Sequence, residues 1–272
     1  MKRKNVFAWS LVIALGGFLF GFDTAVISGA EQSIQQYWSL NALQQGLTVS
    51  IALMGTVIGA LTGAIPADRY GRKTTLYGIA VLYLLSSLGT AFAPNWGGFL
   101  FFRFIGGFGV GASSVTAPIY ISEISPAGRR GKLVGLFQFN VVFGIVISYL
   151  SNYRIGRSSG DHSWRLMLGI QAVPSFLFLL LLRLVPESPR WLILHRNKVD
   201  DARAIFRQID PAGADAIVAE IRTAFQAEKA LPQMDALFSR RYRTPVMLAV
   251  LFAVFNQVSG INAIIYYSPR IF

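Results

Sequence analysis

The feature that most narrows what this chain can become is the recurrence of apolar stretches long enough to cross a bilayer. A membrane-spanning helix needs about 20 mostly apolar residues, because the hydrocarbon core is about 30 Å thick and each helical residue rises about 1.5 Å. Six stretches are of that order, at approximately Val6–Ala30, Leu47–Ala67, Thr75–Phe92, Phe99–Ile121, Leu133–Asn152 and Leu166–Val185. A seventh begins near Val246 and is still running at Phe272. Composition agrees: 53% of the 272 residues are hydrophobic and 14% charged, whereas an ordinary soluble domain is about 25% charged. The opening MKRKN before an apolar run resembles a secretory leader. That run is too long for a leader's apolar core and further spans follow it, so it reads as a retained first helix.

The formal net charge of +12, from 25 Lys and Arg against 13 Asp and Glu, would suit a nucleic-acid binder if the charges formed a patch. They are placed otherwise. Lys2, Arg3 and Lys4, then Arg69, Arg72 and Lys73, then Arg129, Arg130 and Lys132, then eleven residues between Arg183 and Arg243 put 20 of the 25 in segments on one side of the spans. The opposite side holds Arg154, Arg157 and Arg165, while Arg103 lies inside the fourth span and Arg270 at the far end of the seventh. Positive residues concentrate in cytoplasmic loops, so the asymmetry predicts a cytoplasmic N-terminus and explains the charge without nucleic acid.

With no cysteine, disulfide scaffolds, thiolate metal sites and cysteine nucleophiles are excluded. His162 and His195 lie far apart in polar segments, so no metal-ligand spacing is present. No serine has a nearby histidine, no span holds a carboxylate pair and there is no phosphate loop, so no enzyme constellation is present. Gly17 with Gly21, Gly55 with Gly59 and Gly63, and Gly107 with Gly111 stand at the spacing that lets transmembrane backbones approach. Gly107, Gly109 and Gly111 also brush a dinucleotide fingerprint, but no strand precedes them and helix packing is the better reading.

Between the sixth and seventh spans, residues 186–243 change character. Val199, Ala202, Ile205, Phe206 and Ile209 repeat at helical spacing, as do Ile217, Ile221, Ala224 and Phe225. Two or three short amphipathic helices, broken around Pro211 and Pro232, are expected to pack on the cytoplasmic ends of the spans.

Asp23 interrupts the first span and Arg103 the fourth, and each would cost several kcal/mol facing lipid unpaired. Both are expected to face the interior and each other. A carboxylate that exchanges between ionised and neutral forms beside a fixed guanidinium is what proton-coupled transport requires; a permanent ion pair fixing helix packing is the alternative. Gln138, Asn140, Asn256, Gln257, Ser259 and Asn262 also sit within apolar spans. Together with the aromatic faces of Phe20, Tyr266 and Tyr267 they suit a polyol ligand, although each amide alone equally suits interhelical hydrogen bonding. Gly260 beside Ser259 suggests that the seventh helix is discontinuous.

Five motifs in order then carry a resemblance. GGFLFGFDTAVISGA in the first span, DRYGRK at Asp68–Lys73, RFIGGFGVGASSVTAPIYISEISPAGRRG at Arg103–Gly131, PESPRWL at Pro186–Leu192 and NQVSGINAIIYYSP at Asn256–Pro269 are similar to those of the sugar porter family of the major facilitator superfamily. The resemblance covers essentially the whole chain. It implies an all-α integral membrane fold: a six-helix N-terminal bundle over residues 1–185, a cytoplasmic helical insert over 186–243, and the start of the seventh transmembrane helix over 244–272.

By the same resemblance Phe20, Gln138, Gln257 and Asn262 contact sugar, Tyr266 and Tyr267 stand at an outer gate, and Asp23 with Arg103 forms the proton-coupling pair. Asp68, Arg69, Arg72, Glu123, Arg130, Glu187 and Arg190 match a cytoplasmic charge network that latches the halves in the outward-facing state. Asn256 stands where many members carry a glutamine, and Ala64 where the cytoplasmic signature usually begins with glycine. Family members have twelve spans in two bundles, so this sequence is expected to supply the N-terminal half of a transporter that needs a C-terminal six-helix half. The expected partners are a sugar, a proton and the lipid bilayer. No cofactor is implied beyond a proton gradient as energy source. The expected activity is sugar/proton symport in a bacterial inner membrane, with a facilitative uniporter or a non-transporting sugar-sensing half-module as alternatives.

Overall fold

Backbone polar groups inside a bilayer have no water to bond with, so a chain with this many apolar runs must satisfy them within helices. The computed structural model does so throughout. It describes residues 3–158, 160–229 and 242–271, and among these all regular secondary structure is helical. Seven helical spans are long and apolar enough to cross a membrane: Val6–Tyr37, Ala42–Thr62, Arg72–Ala91, Trp96–Ile124, Ala127–Arg157, Ser163–Leu184 and Arg243–Ser268.

The first span is one helix, α1 (Arg3–Tyr37), which runs seven residues beyond the expected end at Ala30. It continues through Glu31, which it buries completely. Helix α2 (Ala42–Thr62) starts earlier than expected because Asn41 and Gln44 cap each other reciprocally, side chain to backbone. It ends at Gly63, and the residues assigned to its tail form a separate short helix, α3 (Ala64–Tyr70). Then come α4 (Arg72–Ala91), α5 (Trp96–Ile124) and α6 (Arg130–Ser158). The sixth span is broken into α7 (Ser163–Gly169) and α8 (Ala172–Leu181). Pro174 has no N–H to offer the carbonyl of Ile170, which Val173 bonds instead in a tighter turn at 3.1 Å.

Helix α1 packs along α6, and α2 along α5, with α4 against α5 and the α7–α8 pair against α4 and α1. Glycine makes the first two contacts close. A Cβ at Gly21 would collide with the carbonyl of Val141 on α6, and one at Gly144 with the carbonyl of Phe18 on α1. Across the second contact, Gly55 and Gly59 face Phe104 and Phe108 while Gly107 and Gly111 face Ala52 and Thr56. The glycine pairs are therefore helix-packing surfaces. Large apolar side chains point outward from the same helices, such as Leu61 on α2, Phe139 on α6 and Val173 on α8. That inverted surface is what a lipid-facing bundle presents.

Two ends differ. At one, termed here the basic end, lie α3, the Ser125–Arg129 link and helices α9 (Pro189–Arg196), α10 (Val199–Ile209) and α11 (Ala214–Lys229). Their own apolar cluster, Trp191, Leu192, Ile193, Ala202, Phe206, Ala214 and Val218, forms a satellite core, and the Trp191 indole donates 2.6 Å to the carbonyl of Asp68 on α3. The α10 stripe is as expected. On α11 Ala214 and Val218 are buried, Ile217 and Ile221 partly so, and Ala224 is exposed. Pro232 lies outside the described residues. At the opposite end Trp38, Phe99 and Trp164 meet edge to face, with Tyr37 against Trp164. Arg165 lies 4.3 Å over Trp164 and donates to the carbonyls of Ala91 and Ala93, clamping the α4–α5 turn.

The seventh span is discontinuous, as the Gly260 position suggested. Helix α12 (Arg243–Val258) ends before Gly260, whose φ of 73° turns the chain into α13 (Ile261–Ile271). No residue of α12 is buried. Helix α13 packs on α1, with Tyr266 in the core beside Phe22 and Val26.

Gly21→Ala should destabilise the chain by roughly the 1–3 kcal/mol of an overpacked core or more. Gly135→Ala, where an added Cβ meets nothing within 4 Å, should be neutral or stabilising. Thermal melting of the purified variants in detergent checks this; equal melting temperatures would contradict it.

Candidate functional site

Asp23 sits in the middle of an apolar helix whose neighbours are Phe22, Ala25 and Val26, so its charge must be answered by another span. Arg103, on the second turn of α5, answers it: Nη1 lies 3.2 Å from Asp23 Oδ1 and both side chains are at most 3% exposed. Gly106, on the next turn of α5, faces Ser86 of α4, whose hydroxyl a Cβ there would strike, while the Asp23 carboxylate oxygen would be in ordinary contact at 3.5 Å. The contact is a single point, and Nε of Arg103 has no hydrogen-bond partner among the described residues.

The cytoplasmic network expected from the sequence is partly assembled at the basic end, and there the geometry is fuller. Arg72, at the start of α4, grips Glu123 of α5 with Nε and Nη2 at 3.0 Å each, and its Nη1 reaches Asp68 at 2.9 Å. Ser188 donates 2.6 Å to the same Glu123 carboxylate. Glu187 accepts from the backbone N–H of Lys73 at 3.0 Å and of Ser188 at 2.8 Å. Gly71, with a φ of 103°, keeps this corner open, because any Cβ would strike the Glu187 carboxylate. Tyr120 adds a hydrogen bond to the carbonyl of Pro186. Asp68, Arg72, Glu123 and Glu187 are thus brought together. Arg69 instead lies over the Tyr70 ring at 5.3 Å, and Arg130 and Arg190 are exposed outside the cluster, without an ion pair among the described residues.

The expected sugar contacts are spread over four helices, α1, α6, α12 and α13. Phe20 is half-buried on α1 against the core. Gln138 is exposed on α6, without a bonded partner among the described residues. Asn262 donates 2.8 Å to the Gln257 side chain across the Gly260 turn, so these two amides meet each other. Asn140 turns back to the carbonyl of Leu136 in its own helix. Tyr266 is 7% exposed; Tyr267 is half-buried at a non-helical kink in α13. Tyr149 of α6 ties α13 down by donating 2.8 Å to the carbonyl of Ile265.

Sequence reasoning missed Glu31 and Arg270. Arg270 Nε and Nη2 meet the Glu31 carboxylate at 2.5 and 2.8 Å, and Gln45 of α2 donates to it as well. A signal existed: Arg270 stood apart from the basic end, and Glu31 is a carboxylate that follows directly on the first apolar run. Among the described residues no group of three His, Asp or Glu side chains is placed to hold a metal.

Comparison with known proteins agrees with this architecture. The model of the family described as "Sugar (and other) transporter" matches residues 9–272. The D-xylose transporter of Levilactobacillus brevis is 37% identical over 261 residues, covering 95% of this chain and 56% of that protein. The D-xylose-proton symporter of Escherichia coli (strain K12) is 36% identical over 306 residues, covering 100% and 61%. A crystal form of the major facilitator proton:xylose symporter bound to 6-bromo-6-deoxy-D-glucose superposes with a TM-score of 0.91 at 34% identity, over 100% of this chain and 63% of that one. The inward-open E. coli xylose transporter gives 0.83 at 34% identity, over 98% and 64%. The chain therefore spans less than two thirds of the length of the relatives it matches.

Arg103→Met should leave Asp23 buried without its countercharge and cost about 3–5 kcal/mol. Asp23→Asn combined with Arg103→Met should recover most of that loss. Melting curves of the two variants and the unaltered chain decide it, and a double variant no more stable than Arg103→Met would contradict the pairing.

Proposed function

The chain belongs to the sugar transporter family of the major facilitator superfamily and is an integral, multi-pass membrane protein, and on that premise we propose that it serves proton-coupled uptake of a monosaccharide or related polyol. In this reading residues 1–185 are the first six-span bundle, 186–243 a cytoplasmic insert, and 244–272 the opening of a seventh span that belongs to a second bundle. The N-terminus and the basic end face the cytoplasm, as the 20 of 25 positive residues on that side favour, and the membrane is a bacterial inner membrane.

The observation that carries symport is the one-point pair of Asp23 and Arg103, fully enclosed by apolar spans. Asp23 is held by a single 3.2 Å contact with no second bond from Arg103, whereas Arg72 grips Glu123 at two points. A proton arriving from outside adds to a carboxylate oxygen of Asp23, removes its charge and releases the Arg103 guanidinium. The charge cost then falls on the Arg103 guanidinium, left buried without its partner, and that cost drives α5 and α1 to rearrange. Loss of the proton on the cytoplasmic side restores the pair. The sugar is held between bundles by Phe20 and Gln138 from one side and by Gln257 and Asn262 from the other. Tyr266 and Tyr267 close over it.

The cytoplasmic cluster of Asp68, Arg72, Glu123 and Glu187 is the latch that holds that side shut while the outer side is open. It has several charge-assisted bonds, which suit a contact that must be firm and still separable. Arg69, Arg130 and Arg190 join it only if they are engaged from a second bundle.

Asp23→Asn in the assembled transporter should abolish uphill sugar accumulation in proteoliposomes with an imposed proton gradient, while counterflow exchange of labelled sugar continues. Accumulation equal to that of the unaltered protein would overturn coupling through Asp23, and uptake insensitive to a protonophore would make the protein a uniporter.

A further inference from the structure

Glu31 is a carboxylate with no exposed surface, on the outer end of α1, eight residues beyond Asp23. A buried carboxylate needs its lone pairs filled and its charge met. Both needs are answered from other helices. Arg270 of α13 grips it at two points, through Nε at 2.5 Å and Nη2 at 2.8 Å, and Gln45 of α2 donates to Oε2 and to the backbone carbonyl of Glu31. Arg270 Nη2 also reaches the Gln35 side chain at 2.6 Å. Its own side chain is 39% exposed, so it covers the buried acid from the solvent side.

The surroundings of Arg270 make this more than a static tie. Helix α12 buries no residue, so the seventh span is held to α1 and α6 by α13, through Tyr266, the Tyr149 to Ile265 bond and Arg270. At the base of α13 is Gly260 with a φ of 73°, and near its tip Tyr267 leaves helical geometry. An arm with a turn at its root, a kink near its tip and a charged hook at its end has the parts of a gate. Gln45 stays with Glu31 on the rigid bundle when Arg270 leaves, so the carboxylate keeps one donor in the open form and the contact is reversible.

We propose that Glu31 and Arg270 form an outer clasp that holds α13 against α1 and breaks whenever the outer mouth opens. This rests on the transport reading above and adds to it the device that opposes the cytoplasmic latch.

The chain has no cysteine, so paired cysteines for nitroxide labels can be introduced without background. Gln36 and Ile271, both exposed, report α1 against α13; Gln36 and Phe92, both exposed, report the bundle alone. In lipid nanodiscs the unaltered clasp should give one dominant short Gln36–Ile271 distance. Glu31→Gln and Arg270→Gln should each lower the ratio of short to long distances by about tenfold or more, the least expected when a buried charge loses its partner. Arg270→Lys, which keeps the charge and loses the two-point grip, should fall between. The Gln36–Phe92 distance should not change in any of them. Should Arg270→Gln disturb that control by unfolding, Arg270→Lys decides: a partial shift upholds the clasp and none overturns it. Distributions identical to the unaltered chain in all three variants would overturn it too. The measurement needs neither sugar nor a proton gradient, so failure of the clasp is separable from failure of the transport reading.

Discussion

A charge inside hydrocarbon can be tolerated only beside another charge or a dense set of dipoles, and the three ion pairs that join spans among the described residues are arranged by that constraint. Arg72 and Glu123 meet at two points at the basic end, with Asp68 and Ser188 completing both partners. Glu31 and Arg270 meet at two points near the opposite end, with Gln45 assisting. Asp23 and Arg103 lie between these levels and meet at one. The end pairs are held at two points and the enclosed central pair at one. The central pair is therefore the one whose partners are fixed by the fewest bonds of their own.

The glycine faces make that arrangement possible. Helices α1 with α6 and α2 with α5 approach until a methyl group would not fit, which fixes each pair as a rigid unit. With α1 pinned along α6, Asp23 stays buried, and α5, held against α2, presents Arg103 to it directly. The carboxylate and guanidinium are thus opposed by backbone packing and not by their own attraction. A pair placed this way can lose its charge for part of a cycle without the bundle coming apart.

Much of this was legible in the sequence because its signals are local. Span count, the break at Gly260, the glycine contacts and the facing of Asp23 and Arg103 each follow from apolar run length, small-residue spacing or the cost of a lone charge. Three kinds of feature were not legible. Helix α1 outran its apolar stretch because a buried partner, not hydropathy, decided the fate of Glu31. Helix α2 began at a reciprocal cap whose two residues, Asn41 and Gln44, look like loop. The basic cluster was identified as a set, yet Arg69 turned to Tyr70 while Ser188 and Trp191 took structural parts. Which of several arginines reaches a given carboxylate depends on helix rotation and on where Gly71 turns the chain, and composition carries neither.

The two ends of the chain bear on each other through rigid helices. Helix α1 carries both Asp23 and Glu31 without interruption, and α5 carries both Arg103 and Glu123 with Pro118 between them. Displacing α1 relative to α5 at the central pair therefore bears on the Glu31–Arg270 pair, while displacing α5 bears on the cluster at the basic end. If both ends were held at full strength at once, neither side could open and no cargo would pass. A transporter built on this bundle works only if the links at the two ends are comparable in strength and alternate. Comparable two-point grips by Arg72 and Arg270 meet the first requirement. The weaker central pair, set on the same two helices, is the element able to bias which end lets go.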